Sequence, residues 1–224
     1  MGLEVVQRLK NDPARRSNSD LTVKGTHISN TLWHGISVHT DSATQLTLTD
    51  LLLELGEGFG IYSIVGCPTI NNPLVGGWAL GGIGIFGGCA NIFGGSLFDN
   101  FYAGIRVTNS GAFVSGTQIF NTHPRSSDGA FGDGVIATLS NVTLAGLDIE
   151  GSERAGITSV GSDVSSQATL LNCNAIDLDG EMFGSALPVI NDLGGNTCKC
   201  GEHVVACQVK SLNLAPPDSL TEPE

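Results

Sequence analysis

A five-residue motif recurs seven times along the chain, mostly at intervals of roughly 22 residues. In every copy the first and third residues are apolar, and the fifth is Gly, Asn or Asp. Apolar residues at alternate positions face one side of a β-strand, whereas Gly, Asn and Asp accept the left-handed backbone of a turn. Each copy therefore predicts a short strand that ends at a corner. The copies are residues 21–25, 46–50, 68–72, 90–94, 112–116, 142–146 and 168–172.

Two more strands are predicted in each repeat. A second apolar site follows the motif, and a third strand begins at a Gly-Ile pair in five copies, at Gly35, Gly60, Gly82, Gly104 and Gly156. Strands that stack on their equivalents at about 4.8 Å form three parallel sheets around an inward column of Val, Ile and Leu. The prediction is an all-β fold, a single-stranded right-handed parallel β-helix (solenoid) of about seven coils. The right hand is expected because about 98% of parallel crossovers have it.

The register of the repeat predicts which residues stack. Cys67 and Cys89 occupy the same position in adjacent coils, so they are expected to lie one above the other, within reach of a disulfide. One inward row of the third strand is predicted to contain Ile36, Ile61, Ile83, Ile105 and Ile157.

Three regions are predicted from the extent of the repeat. Residues 1–20 form an N-terminal cap or a partial coil, and residues 21–190 form the parallel β-helix. Residues 191–224 comprise a cysteine-containing segment and a loose tail that is acidic and rich in proline.

Two segments show a resemblance to a known superfamily. The sequences FDNFYAGIRV at 98–107 and ISNTLWHGISV at 28–38 are typical of generic repeats in the pectin-lyase-like right-handed β-helix proteins, and the resemblance covers about residues 20–190. It implies the fold, in a superfamily that includes polysaccharide lyases, glycoside hydrolases, tailspikes and adhesins. The chain lacks the Gly-His-Gly and Arg-Ile-Lys motifs of polygalacturonase-like members, and Arg106 lies in a generic Gly-Ile-Arg-Val strand. These departures count against catalysis.

The charge of the chain limits the classes of partner that it is expected to bind. The formal net charge is -12, which argues against nucleic acid because phosphate binding depends on clustered Lys and Arg. No apolar run has the length of a membrane span, and the first ten residues lack the layout of a signal peptide. A secreted or cell-surface location is nevertheless expected for this type of repeat protein.

An insertion in the fifth coil, residues 122–133, is the strongest functional signal, because insertions in solenoids form loops on one face. The register places further aromatic and charged residues along the same edge. The candidate catalytic residues are Asp99, His123, Arg125, Asp128 and Asp133. The candidate substrate-binding residues are Trp78, Phe101, Tyr102, Glu153 and Arg154.

These residue types suit sugar chemistry. Glycoside cleavage uses two carboxyl groups that lie about 5–5.5 Å apart in retaining enzymes or about 6.5–9.5 Å apart in inverting ones. Residues on adjacent coils could provide the shorter separation, and a loop residue paired with a coil residue could provide the longer one. In this scheme His123 carries a proton and Arg125 stabilises charge. The alternative is that Asp and Gly simply form turns in a solvated loop.

Two metal sites are considered. Asp177, Asp179 and Glu181 place oxygen ligands at alternate positions, which suits Ca²⁺, although an ordinary acidic turn has the same composition. No other cofactor is predicted. The terminal cysteines allow either a zinc site or disulfides and free thiols, and the residues concerned are Cys198, Cys200, His203 and Cys207.

Two functions remain open at this level. The favoured one is a non-catalytic secreted or surface domain that binds a glycan or another partner along one edge. The alternative is a carbohydrate-active enzyme of the polysaccharide lyase or glycoside hydrolase type that uses carboxylates of the inserted loop.

Overall fold

The structure, a computed structural model, describes residues 3–6, 20–39 and 45–210. The regular secondary structure in that part of the chain consists entirely of β-strands, which form three sheets. Sheet A contains β1 (Leu3–Val6), β4 (Ile36–His39), β7 (Phe59–Ile64), β10 (Gly81–Phe86), β13 (Ala103–Thr108), β16 (Asp133–Thr138), β19 (Ala155–Val160), β22 (Ile176–Glu181) and β26 (Val209–Lys210).

Sheets B and C complete each coil. Sheet B contains β2 (Asp20–Lys24), β5 (Gln45–Thr49), β8 (Thr69–Asn71), β11 (Cys89–Phe93), β14 (Gly111–Ser115), β17 (Asn141–Ala145), β20 (Asp163–Gln167) and β23 (Val189–Asp192). Sheet C contains β3 (His27–Thr31), β6 (Leu52–Gly56), β9 (Leu74–Trp78), β12 (Ser96–Phe98), β15 (Gln118–Phe120), β18 (Asp148–Glu150), β21 (Leu170–Asn172), β24 (Thr197–Cys200) and β25 (His203–Val205).

The predicted parallel β-solenoid with three strands per coil is confirmed. All strand pairs are parallel except β24 with β25, which form an antiparallel hairpin at the C-terminal end. The coil count is about eight rather than seven, because β23 and β24 stack on β20 and β21 and add a further coil. The seventh motif copy, residues 168–172, was assigned to the wrong sheet: Leu170–Asn172 forms β21 in sheet C, and the sheet B strand of that coil is β20 (Asp163–Gln167). The repeat pattern had therefore lost the register before the last coil. The right-handed sense stays a prediction.

The inward isoleucine row is confirmed by the register of sheet A. Ile61, Ile83 and Ile105 pair in successive strands, and all are fully buried. In the fifth coil Val135 takes the next place in the row, between Ile105 and Ile157. The inserted loop therefore leaves the ladder in register, since the strand after it starts at the equivalent position.

Steric crowding explains why a glycine precedes each of these inward residues. A Cβ at Gly104 would lie 2.5 Å from Cγ2 of Ile119 and 2.7 Å from the carbonyl oxygen of Gly134. A Cβ at Gly134 would meet Ile149 Cγ2 at 2.4 Å. Real Cβ atoms essentially never approach so closely, so only glycine lets the chain turn from sheet C into sheet A at this distance from the core.

Three disulfides join the described cysteines. Cys67 and Cys89 are linked, with their Cα atoms 4.5 Å apart, which confirms the predicted stacking. The other two bonds hold the C-terminal hairpin and join Cys173 to Cys200 and Cys198 to Cys207. The zinc hypothesis for these cysteines is wrong, because the sulfurs that would bind the metal bond to each other. Structural disulfides persist in oxidising compartments, so they indicate a location outside the cytoplasm.

No helix that could span a membrane occurs within the residues that the structure describes.

Candidate functional site

Trp78 was predicted to line the surface edge, and this prediction is wrong. Its side chain is fully buried, and its Nε1 donates a hydrogen bond of 3.1 Å to the carbonyl oxygen of Leu53. The indole fills space that two glycines of earlier coils leave open: a Cβ at Gly56 would lie 2.1 Å from Cζ3 of Trp78, and one at Gly35 would lie 2.9 Å from Cη2. Trp78 is therefore a core residue and cannot stack on a sugar.

Four of the other predicted residues do meet at the surface. We call Asp99, Phe101, His123 and Glu153 the edge cluster. Phe101 and His123 form an isolated parallel bridge between adjacent coils, with ring centroids 5.5 Å apart. His123 Nδ1 lies 2.7 Å from Glu153 Oε1, and His123 Nε2 lies 3.9 Å from Asp99 Oδ1. The cluster therefore brings together side chains from three successive coils, with Asp99 and Phe101 in the first, His123 in the second and Glu153 in the third.

Asparagine side chains hold the backbone beneath the edge cluster. Asn100 is buried, its Oδ1 accepts a hydrogen bond from the backbone N–H of Trp78, and its Nδ2 donates to the carbonyl of Val75. Asn174 repeats this arrangement three coils later, with Ser152 N–H as donor and the Ile149 carbonyl as acceptor. Each amide satisfies backbone groups of the corner that leads from sheet C to sheet A, so the side chains of the edge cluster start from a well-defined backbone.

Arg125 and Asp128 pair with each other inside the inserted loop. The guanidinium forms a bidentate ion pair with the Asp128 carboxylate, and Asp128 Oδ1 also accepts the backbone N–H of Ala130 at 3.0 Å. The hydrogen bonds from Arg125 lower the pKa of Asp128 to about 2. Asp128 is thus an ionised group that shapes a turn of the loop, as the alternative interpretation of its Asp and Gly residues expected.

Asp133, the second loop carboxylate, is the first residue of β16 and is fully buried. It accepts hydrogen bonds from Arg154 Nε at 2.8 and 3.0 Å, from Arg154 Nη2 at 2.5 Å and from Thr158 Oγ1 at 2.9 Å. Burial raises the pKa of Asp133 despite the opposing effect of Arg154. Both residues are thereby used in a buried ion pair on the outer side of sheet A, and the prediction that they face a substrate at the edge is wrong.

Tyr102 is also buried, at 1% exposure, contrary to its predicted role as an exposed sugar-binding ring. Its backbone has a φ of 70°, and this left-handed conformation turns the side chain away from its neighbour Phe101. The ring lies beneath Phe131 of the inserted loop, with centroids 4.4 Å apart. The guanidinium carbons of Arg106 and Arg125 lie 5.0 and 5.4 Å from the ring centroid.

The predicted calcium ligands share one side of β22, because they occupy alternate positions of the strand. Asp179 and Glu181 are buried and Asp177 is half-buried. Burial raises the pKa of Asp179 to about 6, and Glu181 and Asp133 add to this while Arg154 opposes it. Among the described residues no group of three or more His, Cys, Asp or Glu side chains is arranged to hold a metal ion. Calcium binding stays a prediction.

Arg106 is the residue that the sequence analysis missed. It lies between the inward residues Ile105 and Val107, so it points outward from sheet A, yet only 2% of it is exposed. In the register of sheet A it pairs with Gly84 and Ile136, and its two aromatic neighbours, Phe86 and Tyr102, lie outside that row. A generic strand motif gave no reason to connect these three residues.

The predicted residues thus separate into two groups. The edge cluster is at the surface, whereas Tyr102, Asp133 and Arg154 lie on the outer side of sheet A together with Arg106, which was not predicted. Asp179 and Glu181 of β22 are buried on the same side of that sheet. Comparison of the chain with models of protein families, with curated proteins and with solved structures finds no match.

Proposed function

We propose that this protein is an extracellular, non-catalytic β-solenoid domain that binds a glycan along the edge cluster. The observation that carries the proposal is the line formed by Phe101, His123 and Glu153 on three successive coils. A linear ligand needs contacts in a line, and parallel coils repeat at about 4.8 Å.

The exposure of the cluster supports the same proposal. The side chains of His123, Glu153 and Asp99 are 34, 54 and 57% exposed, so their polar atoms are accessible. Phe101 is half-buried beside His123 and offers an apolar ring face next to these acceptors. Saccharide sites combine an apolar surface with a few polar groups that fix orientation, and the edge cluster has this composition.

Non-catalytic binding is favoured because the predicted catalytic carboxylates of the loop are already engaged. Asp128 is held by Arg125, and Asp133 is buried against Arg154. The alternative function, a glycoside hydrolase or polysaccharide lyase, is supported by one arrangement: two exposed carboxylates, Asp99 and Glu153, lie on either side of a histidine. Proton transfer through His123 would then use these groups.

The proposed location of the protein is the cell surface or the secreted fraction. This location is supported by the three disulfides. Membership of the pectin-lyase-like superfamily belongs to the same proposal. It is supported by the confirmed architecture of three parallel sheets and by the two generic repeat segments.

A glycan array followed by titration of the hits tests the proposal. We expect Phe101→Ala to weaken binding about tenfold or more, which corresponds to about 1.4 kcal/mol. Phe113→Ala is the matched control, since Phe113 is a half-buried phenylalanine on the outer side of β14 in sheet B, paired with Phe93 at 5.8 Å. Absence of any glycan ligand, or equal effects of the two variants, would contradict the proposed edge.

Turnover of a bound glycan would favour the alternative. In that case Glu153→Gln and Asp99→Asn should reduce the release of reducing ends or unsaturated products, while Asp128→Asn should not. Binding without products in the wild-type protein supports the non-catalytic function.

A further inference from the structure

Arg106 is a buried arginine on the outer side of the solenoid. Its guanidinium carbon lies 5.4 Å from the ring centroid of Phe86 and 5.0 Å from that of Tyr102, so it contacts two aromatic rings. Its Nε donates a hydrogen bond of 3.3 Å to Thr108 Oγ1. Its Nη1 is buried and has no hydrogen-bond partner. The side chain is therefore held in place at one end and unsatisfied at the other.

The charge of Arg106 is also uncompensated. Within the described part of the chain the neighbouring arginines have carboxylate partners, Asp128 for Arg125 and Asp133 for Arg154, whereas no ion pair includes Arg106. Burial lowers the pKa of Arg106, and the charge of Arg125 adds to this. Burial of a cation without a counter-ion destabilises the folded state, so an ordinary strand position would not be expected to hold one.

Tyr102 does not supply the missing negative charge. Burial raises the pKa of Tyr102, so its phenol stays neutral at physiological pH. Its hydroxyl is buried and has no partner, just like Arg106 Nη1. Two contacting side chains thus each hold an unpartnered buried donor atom, and both are flanked by the guanidinium of Arg125, which lies 5.4 Å from the Tyr102 ring.

From these donors we infer that Arg106 and Tyr102 form a binding site for a small oxyanion, under the inserted loop on the outer side of sheet A. Arg106 Nη1 and the Tyr102 hydroxyl donate to its oxygens, and its negative charge compensates the guanidinium. Carboxylate and sulfate groups share this chemistry. The site neither includes the edge cluster nor depends on glycan binding there.

The inserted loop explains how an enclosed site is reached. Phe131 lies against the Tyr102 ring at 4.4 Å and beneath the guanidinium of Arg154 at 4.6 Å. Gly132 follows Phe131 directly and Gly129 precedes it by two residues, and all three residues have positive φ angles. Displacement of the Phe131 ring would uncover Tyr102 and give a small oxyanion access to the two unpartnered donors, the Tyr102 hydroxyl and Arg106 Nη1.

The chain has only two tyrosines, which gives the test a specific readout. In a Tyr62→Phe background the absorbance of the phenolate reports Tyr102 alone. Sodium sulfate and sodium acetate are each compared with sodium chloride at equal ionic strength, by thermal melting and by titration of the phenol. We expect at least one of them to raise the Tm by about 2 °C or more and to raise the pKa of Tyr102, because a bound anion disfavours the phenolate.

Three variants separate this site from general salt effects. Arg106→Gln should abolish the shift in the pKa of Tyr102 and reduce the rise in Tm to the general stabilising effect of the salt. Tyr102→Phe, which keeps the ring, should also reduce the rise in Tm. Lys24→Gln is the matched control, because it removes the positive charge of a β2 residue that forms an exposed ion pair with Asp50. This variant should respond like the wild type. A response to acetate alone assigns the site to a carboxylate, and a response to sulfate assigns it to a tetrahedral anion.

The proposal is overturned if neither salt shifts the Tm or the phenol titration relative to chloride. It is equally overturned if Arg106→Gln responds like the wild type. If Arg106→Gln does not fold, Tyr102→Phe decides, and an undiminished response of that variant removes the hydroxyl from the site.

Discussion

Replacing Arg154 with methionine would leave the Asp133 carboxylate buried without its charged partner. Asp133 is 0% exposed and receives three hydrogen bonds from the guanidinium, and only neutral donors, the Thr158 hydroxyl and the Ala155 backbone N–H, would remain. Breaking a buried ion pair by removing one partner costs about 3–5 kcal/mol. For a domain of this size that corresponds to a fall in Tm of roughly 10 °C. Urea denaturation at pH 7, with the midpoint and slope fitted together, measures the difference in the free energy of unfolding.

The pH dependence of this loss identifies its cause. The folded-state pKa of Asp133 is raised by burial, and removal of Arg154 raises it further. A group whose folded pKa lies above its unfolded pKa loses stabilisation as pH rises through the folded pKa. The penalty of Arg154→Met should therefore shrink as pH falls below the pKa of Asp133, since the protonated carboxyl is neutral.

Two further variants control the experiment. Lys24→Met breaks an exposed pair, with side chains 68 and 46% exposed, and should change stability by no more than about 0.5 kcal/mol. The double variant with Asp133→Asn should cost clearly less than the sum of its single changes, because the two residues interact directly. A cost below about 1 kcal/mol for Arg154→Met at pH 7 would refute the conclusion that this pair is desolvated.

Three more variants test the core and the outer side of sheet A. Ile105→Asp should prevent folding or lower the Tm sharply, because the carboxylate would have no partner in the inward row, and a wild-type circular dichroism melt would contradict that placement. Trp78→Ala should cost about 3–5 kcal/mol in urea unfolding, whereas Trp33→Ala, at a ring that is 52% exposed, should change stability by about 0.5 kcal/mol or less. Asp179→Asn should stabilise the protein at pH 7 by up to about 3 kcal/mol but not at pH 4, because the raised pKa of about 6 means that wild-type stability is lost as pH rises between about 4 and 6. Equal stabilisation at both pH values would show that burial of the ionised carboxylate is not its cause.

The architecture could be predicted from the sequence because each coil repeats the same local rules. Alternation of apolar residues defines which side of a strand faces inward, and a constant repeat length carries that assignment from coil to coil. Ile105 in its row and the stacking of Cys67 on Cys89 follow from this register alone. Even the displaced fifth coil could be aligned, since Gly134 and Val135 keep the pattern after the insertion.

The candidate site could be predicted only in part, because register specifies height along the solenoid more reliably than the direction of a side chain at a corner. The pairing of Phe101 with His123 was within reach of the repeat, as both occupy the same place in adjacent coils. Trp78 was misplaced because the space that it fills is created by Gly35 and Gly56, which are remote in sequence. No rule about the residue itself could have revealed that space.

The sequence by itself therefore determined the parallel solenoid, its inward rows and the stacking of Cys67 on Cys89, all of which depend on short-range alternation and a fixed period. Only the tertiary structure decided which polar residues are accessible. Arg106 and Asp133 are on the outward-facing side of sheet A, yet both are buried. Arg106 contacts the rings of Phe86 and Tyr102, and Asp133 contacts Arg154, which packs on Phe131 of the inserted loop. Burial of an outward residue depends on what covers it, and that contact joins segments whose distance along the chain carries no periodic signal.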